Sequence, residues 1–394
     1  VLIGFADALA APEAIFSLLG AGYRVRVFAR ENTRPLVARR LPVGAPVMIP
    51  PPERDAAGAV AALRRAVADD PAIAVVLPLD DMALWLTDAA FGAAGAARPR
   101  LAGASGPQAA FALDKVAQIA AAQAAGFDVP PTRILTAPGE ADGIGDFPCI
   151  LRSARALQEA GAGKDRGGVC YLMSAADRGL AGRGDVLFPA LAQPLIAGTG
   201  EGLFGFAGAN GVTAWSAHER VRMMNPHGSG ASACRSRPAD PDLCERGARL
   251  VASIGWRGPF MIELLRDAAG RAWFMEFNGR LWGSTALARR AGLEYPAWAV
   301  AQALDPGFVP DPPAPSPDGV AVRHLGRDLL HLAFVLRGPK SAFHKTRWPS
   351  FLRSAAGALR PGRGRGFYNH DPAHPWYFLH DAAHTVAAFL GKRR

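Results

Sequence analysis

The sequence predicts an α/β N-terminal parallel-sheet domain, then an α+β region, then a basic C-terminal extension. Three features support this division. Short β-like runs alternate with Ala-rich amphipathic stretches over residues 1–105, which implies a parallel sheet with helices on its faces. After about Val169 the pattern turns strand-rich, with Gly and Asn turns, notably at Asn210-Gly211. From Gly319 onward thirteen Lys and Arg stand against three acids, so the whole formal excess of +10 sits in the last fifth of the chain.

In chain order, Val1–Phe5 reads as a strand, Pro12–Ala21 as a helix, Arg24–Ala29 as a strand, Val60–Ala68 as a helix and Ile73–Leu79 as a strand. The turn Gly4-Phe5-Ala6-Asp7-Ala8-Leu9 lacks the GxGxxG spacing that lets a backbone approach a pyrophosphate, which disfavours a nicotinamide enzyme. Asp80-Asp81 ends the last of these strands at the carboxyl edge, where open α/β sheets bind ligands; a helix N-cap is the competing reading. Asp114–Ala125 reads as a helix stopped by Gly126 and Pro130-Pro131. A strand at Cys149–Arg152 precedes the Gly-rich basic stretch Ala160–Val169. Six prolines between Pro306 and Pro317 mark a linker, because they fix φ and remove N–H donors. The expected units are 1–105, 106–192, 193–304, the linker 305–318 and the extension 319–394.

The length of 394 residues, half of them hydrophobic, suits two or three domains and excludes disorder. Charged residues break every apolar stretch before the roughly 18 residues of a membrane helix. Four cysteines without CxxC spacing point to a reducing compartment, and a cytoplasmic location is expected. The high pI would suggest nucleic acid, but a neutral body with a basic end makes any such role an appendage, and no nucleic-acid partner is expected.

The segment richest in chemistry pairs Phe260–Leu264 with Ala272–Asn278 across a turn at Asp267–Gly270. Pairing them places Glu263 near Glu276, with Asn278 two residues on and therefore on the same side. Three hard oxygen donors suit Mg²⁺, with Mn²⁺ as an alternative ion, and Arg280 on that side would meet a transferring phosphoryl group. An exposed acidic face is the competing reading.

The string Phe274–Ser284, FMEFNGRLWGS, resembles the metal-binding strand of the ATP-grasp superfamily. Leu113-Asp114-Lys115 and Ala125–Pro130 resemble the start of that family's nucleotide-binding region. Pro148–Ser153 is similar to the phosphate-contacting strand of its carbamoyl-phosphate synthetase branch, with Arg152 where most relatives carry Lys. Several motifs occur in family order over roughly residues 1–304. The resemblance implies an ATP-grasp fold with small and large subdomains over 106–192 and 193–304, and ATP and Mg²⁺ as ligands. It implies that Lys115 and Arg152 contact the phosphates, that Ala192-Gln193-Pro194-Leu195-Ile196 receives adenine, and that Glu201 holds the ribose. Glu263, Glu276 and Asn278 would ligate the metal, and Arg280 would lie near the γ-phosphate. Gln193 departs from the family's more usual acid. The Gly-rich loop with Lys164 and Arg166 would close over the triphosphate, a disordered polar loop being the alternative. His218–Ser232 resembles the family's loop between the hinge and the metal strands, which implies that His227 lies in the acceptor and phosphate site, a surface histidine being the competing reading; Arg220 and Arg222, at alternate positions, should share a side of a strand.

The implied activity is activation of a small-molecule carboxylate as an acyl phosphate, followed by attack of an amine or other nucleophile. Alternatives are a carboxylate or carbamate kinase without ligation, and a non-catalytic ATP-binding module. The tail carries seven of nine histidines, including His370 with His374 and His380 with His384, without a third zinc ligand. Its cations would draw it to an anionic membrane surface or an acidic partner, and an ordinary packing extension is the plainer reading. The oligomeric state is not legible.

Overall fold

The computed structural model describes residues 1–92, 99–228, 230–311, 319–339, 342–345, 348–359 and 365–391. The prolines from Pro312 to Pro317 lie outside the described residues, as do Lys340, Arg347, Arg360, Arg363 and Lys392-Arg393-Arg394.

The first layer is a five-stranded parallel sheet in the order Val47–Ile49, Arg26–Arg30, Leu2–Gly4, Val75–Pro78, Arg100–Leu101. Its two central strands, Leu2–Gly4 and Val75–Pro78, are apolar and buried throughout, as cover on both faces requires, while the outer strands carry Arg26, Arg30, Met48 and Arg100 toward solvent. The strand order reverses between Leu2–Gly4 and Val75–Pro78, so a crevice opens beyond their carboxyl ends. The short elements Leu36–Arg40 and Val47–Ile49 have no clear sequence periodicity, and the helix Asp81–Phe91 follows the last predicted strand directly.

The second layer is a four-stranded antiparallel sheet in the order Val169–Leu172, Cys149–Ser153, Ala190–Pro194, Arg133–Leu135. The third and largest has seven strands: Ala272–Asn278, Gly258–Arg266, Thr199–Gly208, Gly211–Met223, Ala231–Arg237, Ala321–Arg323 and Arg365–Phe367. One face of this sheet packs helix Pro241–Ser253 through Leu243, Leu250 and Val251 against Leu203, Ile262 and Leu264. The other carries Phe204, Phe206 and Met261 into the core that also holds Trp282 and, from the first helix, Ala11–Gly20, Ile15 and Leu18. Alternation along each strand separates these faces.

The C-terminal segment is woven into the body. Ala321–Arg323 and Arg365–Phe367 extend the large sheet. The Asn369 amide donates to Glu13 of the first helix at 2.7 Å. His380 and His384 lie on helix Tyr377–Gly391, whereas the Asp371–His374 bridge makes a turn of the first histidine pair. Among the described residues no three His, Cys, Asp or Glu side chains gather to hold a metal, and no helix is long and apolar enough to cross a membrane.

Candidate functional site

In the acidic hairpin Glu263 stands opposite Glu276, and Met261 opposite Asn278. The register then slips, so that Leu264 meets Phe274 and Met275 is an extra residue. Such a bulge leaves a carbonyl without its ladder partner, and Arg152 Nη2 donates to the Met275 oxygen at 2.7 Å. Glu263, Glu276 and Asn278 line one cavity of about 230 Å³ with Arg220, Arg280 and Arg327.

Each carboxylate faces one cation. Lys115 Nζ lies 3.6 Å from Glu276, and Arg220 lies 2.8 Å from Glu263. Lys115 is the first residue of helix Lys115–Ala124, whose N-cap Asp114 accepts from the Val116 and Ala117 amides; the cap fixes where the lysine emerges. The Glu263 charge raises the Arg220 pKa above its ordinary value. Burial lowers that of Arg152, against the pull of Glu276 and Glu263, and its Nε is buried with no acceptor among the described residues. The Asn278 amide nitrogen donates to Met261 Sδ at 3.9 Å, leaving its oxygen for another partner.

The donor chemistry fits a magnesium nucleotide. Two carboxylates and an amide oxygen are hard ligands on one side of a hairpin, and an orphaned guanidinium N–H beside them calls for an anionic acceptor.

Other expected residues sit differently. Arg280 makes a two-point ion pair with Asp81, Nε to Oδ1 at 2.9 Å and Nη2 to Oδ2 at 3.4 Å, and Nη1 donates to Leu281. Burial opposes both charges, yet the mutual attraction outweighs it, raising the Arg280 pKa and lowering that of Asp81. Asp80 caps its helix through the Ala83 amide and also meets Arg166 at 2.8 Å.

Glu201 pairs in register with Leu264, while Gly202 pairs with Glu263. One residue out of phase puts Glu201 on the opposite face of the sheet, where Arg266 and Arg237 hold its carboxylate. Gln193 is buried and donates to Thr132 at 2.8 Å. The Leu195 amide donates to the Pro148 carbonyl at 2.9 Å, so it does not offer a donor to a base; the neighbouring Ile196 is half-buried.

Arg220 and Arg222 do not share a side. A bulge at Val221 pairs Arg220 with Cys234 but Arg222 with Ala233, so the two diverge, Arg222 reaching Asp328 at 2.6 Å. His227 packs against His344 and Trp348 of the C-terminal segment, at 4.9 and 4.6 Å between ring centres, and does not line the hairpin cavity.

The Gly-rich stretch is an antiparallel hairpin, Gln158–Ala160 with Gly163–Asp165, docked on the N-terminal layer. The Ala56 amide donates to Ala162 and the Lys164 amide to Pro52. A Cβ on Gly163 would meet the Glu53 carbonyl oxygen at 2.2 Å, so only glycine permits this approach. The Lys164 ammonium pairs with Glu159 and lies 4.9 Å above the Trp85 ring.

Beyond the hairpin a cavity of about 570 Å³ opens at the strand-order reversal, lined by Asp7, Leu79, Asp80, Arg166, Arg280 and Arg327. Arg327 comes from helix Leu325–Arg337 and lines both cavities; among the described residues no acid pairs with it. It was missed in the sequence because the tail's basic residues all look alike.

No family model matches the sequence, and no curated protein matches it. Among solved structures the chain is similar to the L-amino acid ligase from Bacillus licheniformis, with a TM-score of 0.57 and 15% identity over 77% of this chain and 73% of that one. It is also similar to biotin carboxylase from Campylobacter jejuni, solved as a β-γ-ATP complex, with a TM-score of 0.57 and 16% identity over 78% and 71%. For the ADP complex of purK, an N5-carboxyaminoimidazole ribonucleotide synthetase, the TM-score is 0.60 at 15% identity over 86% and 85%. At these identities the likeness is one of fold.

Proposed function

On the ATP-grasp fold that this chain shares with those structures, we propose that it is an ATP-dependent ligase that activates a carboxylate for attack by an amine or another nucleophile. The observation that carries the reading is the acidic hairpin, with Glu263 and Glu276 in register beside Asn278 and facing Lys115 and Arg220. Glu263, Glu276 and Asn278 would hold Mg²⁺, which when bound supplies positive charge at the phosphate oxygens. Lys115 and Arg152 bind those oxygens as well, Arg152 satisfying its orphaned Nε in doing so. Arg280, fixed by Asp81, keeps a positive charge between the hairpin cavity and the larger one without being free to move. Arg327 offers a cation to the acceptor's carboxylate from the same boundary.

In the reaction a carboxylate oxygen bonds to the γ-phosphorus and the bond to the bridging oxygen of ADP breaks. The nucleophile then adds to the acyl carbon, phosphate leaves, and the nucleophile gives up its proton to solvent. No covalent step falls to a side chain, so the protein contributes position and charge. A panel of carboxylates and amines assayed for stimulated ADP formation tests this. The wild type should respond to one pair, and Glu276→Ala should lose on the order of 10³-fold in rate. Phosphorylated product without ligation would instead mark a kinase.

The C-terminal segment supports a further part of this reading, contact with an anionic membrane surface. Leu336, Leu352, Leu359 and Trp376 are 68%, 78%, 80% and 69% exposed in the stretch that carries the chain's excess positive charge. Equal sedimentation with anionic and neutral vesicles would contradict it.

A further inference from the structure

A third cavity lies beside the acidic hairpin, behind His218 and Trp282. It measures about 480 Å³, a volume in the small-molecule range. His218, Trp282 and Ser284 line both it and the hairpin cavity. Its origin is local. Strand Gly211–Met223 runs past the end of its neighbour, since their pairing begins with Ala217 opposite Arg237. Thr213–Ser216 therefore have no further strand on that side among the described residues, and Leu287, Ala288 and Leu293 cover the gap.

The walls are mainly apolar and aromatic. Phe204 stacks on Trp282 at 4.4 Å between ring centres and stands edge-on to His218 at 4.7 Å. Thr213, Ser216, Ser236, Ser284 and Arg237 add polar groups to this lining, and three of its polar atoms, both ring nitrogens of His218 and Nε1 of Trp282, are buried with no hydrogen-bond partner among the described residues. Each residue is only 3% exposed. Burial pushes the His218 pKa down to about 3, so the ring is neutral and offers one donor and one acceptor. Orphaned donors and acceptors are costly in a folded chain, and a phenylalanine would line an apolar pocket without that cost. The charged group at the cavity, Arg237, is already committed to Glu201 and Glu219. A charged occupant would find no counter-charge there.

We infer that this cavity receives the body of the acceptor acid, a neutral aromatic group bearing a hydrogen-bonding substituent, while its carboxylate lies at the acidic hairpin. The substituent satisfies the His218 ring and the Trp282 indole N–H, and Phe204 supplies a stacking surface. The role of the carboxylate rests on the ligase reading; the affinity of the cavity for an aromatic body does not.

Calorimetry separates the two. The probes are 3-(4-hydroxyphenyl)propanoate and hexanoate, each titrated into the full chain with ADP and Mg²⁺ present, with ADP titrated separately. The aromatic probe should bind at least tenfold more tightly than hexanoate. His218→Phe should weaken it roughly tenfold, the loss of one neutral hydrogen bond. Ala291→Trp, which fills the rim of the cavity, should abolish binding, and both variants should keep wild-type ADP affinity. An aromatic probe no better than hexanoate, or one indifferent to both substitutions, overturns the inference while leaving the nucleotide site standing. Aromatic binding in a chain that fails to bind ADP supports the cavity and overturns the ligase.

Discussion

Asp81→Asn tests the joint between the first layer and the acidic hairpin. Asp81 begins the helix after the fourth parallel strand, and Arg280 follows the hairpin, 199 residues away in sequence. Their two-point contact has side chains 21% and 23% exposed. Removing one member of a buried pair costs about 3–5 kcal/mol, because the other charge is stranded. Residual exposure places this pair at the low end, at roughly 3 kcal/mol. Urea denaturation of wild type, Asp81→Asn, Arg280→Met and the double variant measures it as a cycle. The double variant should be more stable than Asp81→Asn, since an apolar replacement strands no charge. The sign with pH follows from the lowered Asp81 pKa. The pair stabilises above the unfolded carboxylate's value of about 4 and is lost as pH falls through the folded value, so the gap between wild type and Asp81→Asn should close in acid. A cost below about 0.5 kcal/mol with additive effects would refute the reasoning, since that is what an ordinary surface site shows.

Arg152→Met relieves a buried charge but strands the Met275 carbonyl, so apo stability should change by less than about 1 kcal/mol, yet ADP binding should weaken roughly 10- to 100-fold by calorimetry. The depressed His218 pKa of about 3 means that the unfolded chain takes up a proton first as pH falls. Wild-type stability should therefore drop by roughly 2 kcal/mol more than that of His218→Phe between pH 6.5 and 5, by urea titration. Gly163→Ala should push the Gly-rich hairpin off Glu53, and faster limited proteolysis within residues 158–168 would register it.

Strand alternation made the hairpin legible. Glu263, Glu276 and Asn278 follow from a period of two and a turn, and the parallel layer follows from alternating patterns. What escaped was register that depends on tertiary pairing. Nothing in the letters around Val221 announces the bulge that separates Arg220 from Arg222, and a shift of one residue sends Glu201 to the far face. Three-residue strands such as Ala321–Arg323 are too short to show a period, so the tail's place in the large sheet was hidden. The Asp81–Arg280 contact and the orphaned nitrogens of His218 exist only in three dimensions.

The most direct measurement is the Mg²⁺ dependence of ADP affinity in wild type and Glu276→Gln. Mg²⁺ should tighten ADP binding to the wild type, and Glu276→Gln should lose tenfold or more of that gain while keeping its metal-free affinity. The same Mg²⁺ response in both proteins would contradict the assignment of the hairpin as the metal-nucleotide site.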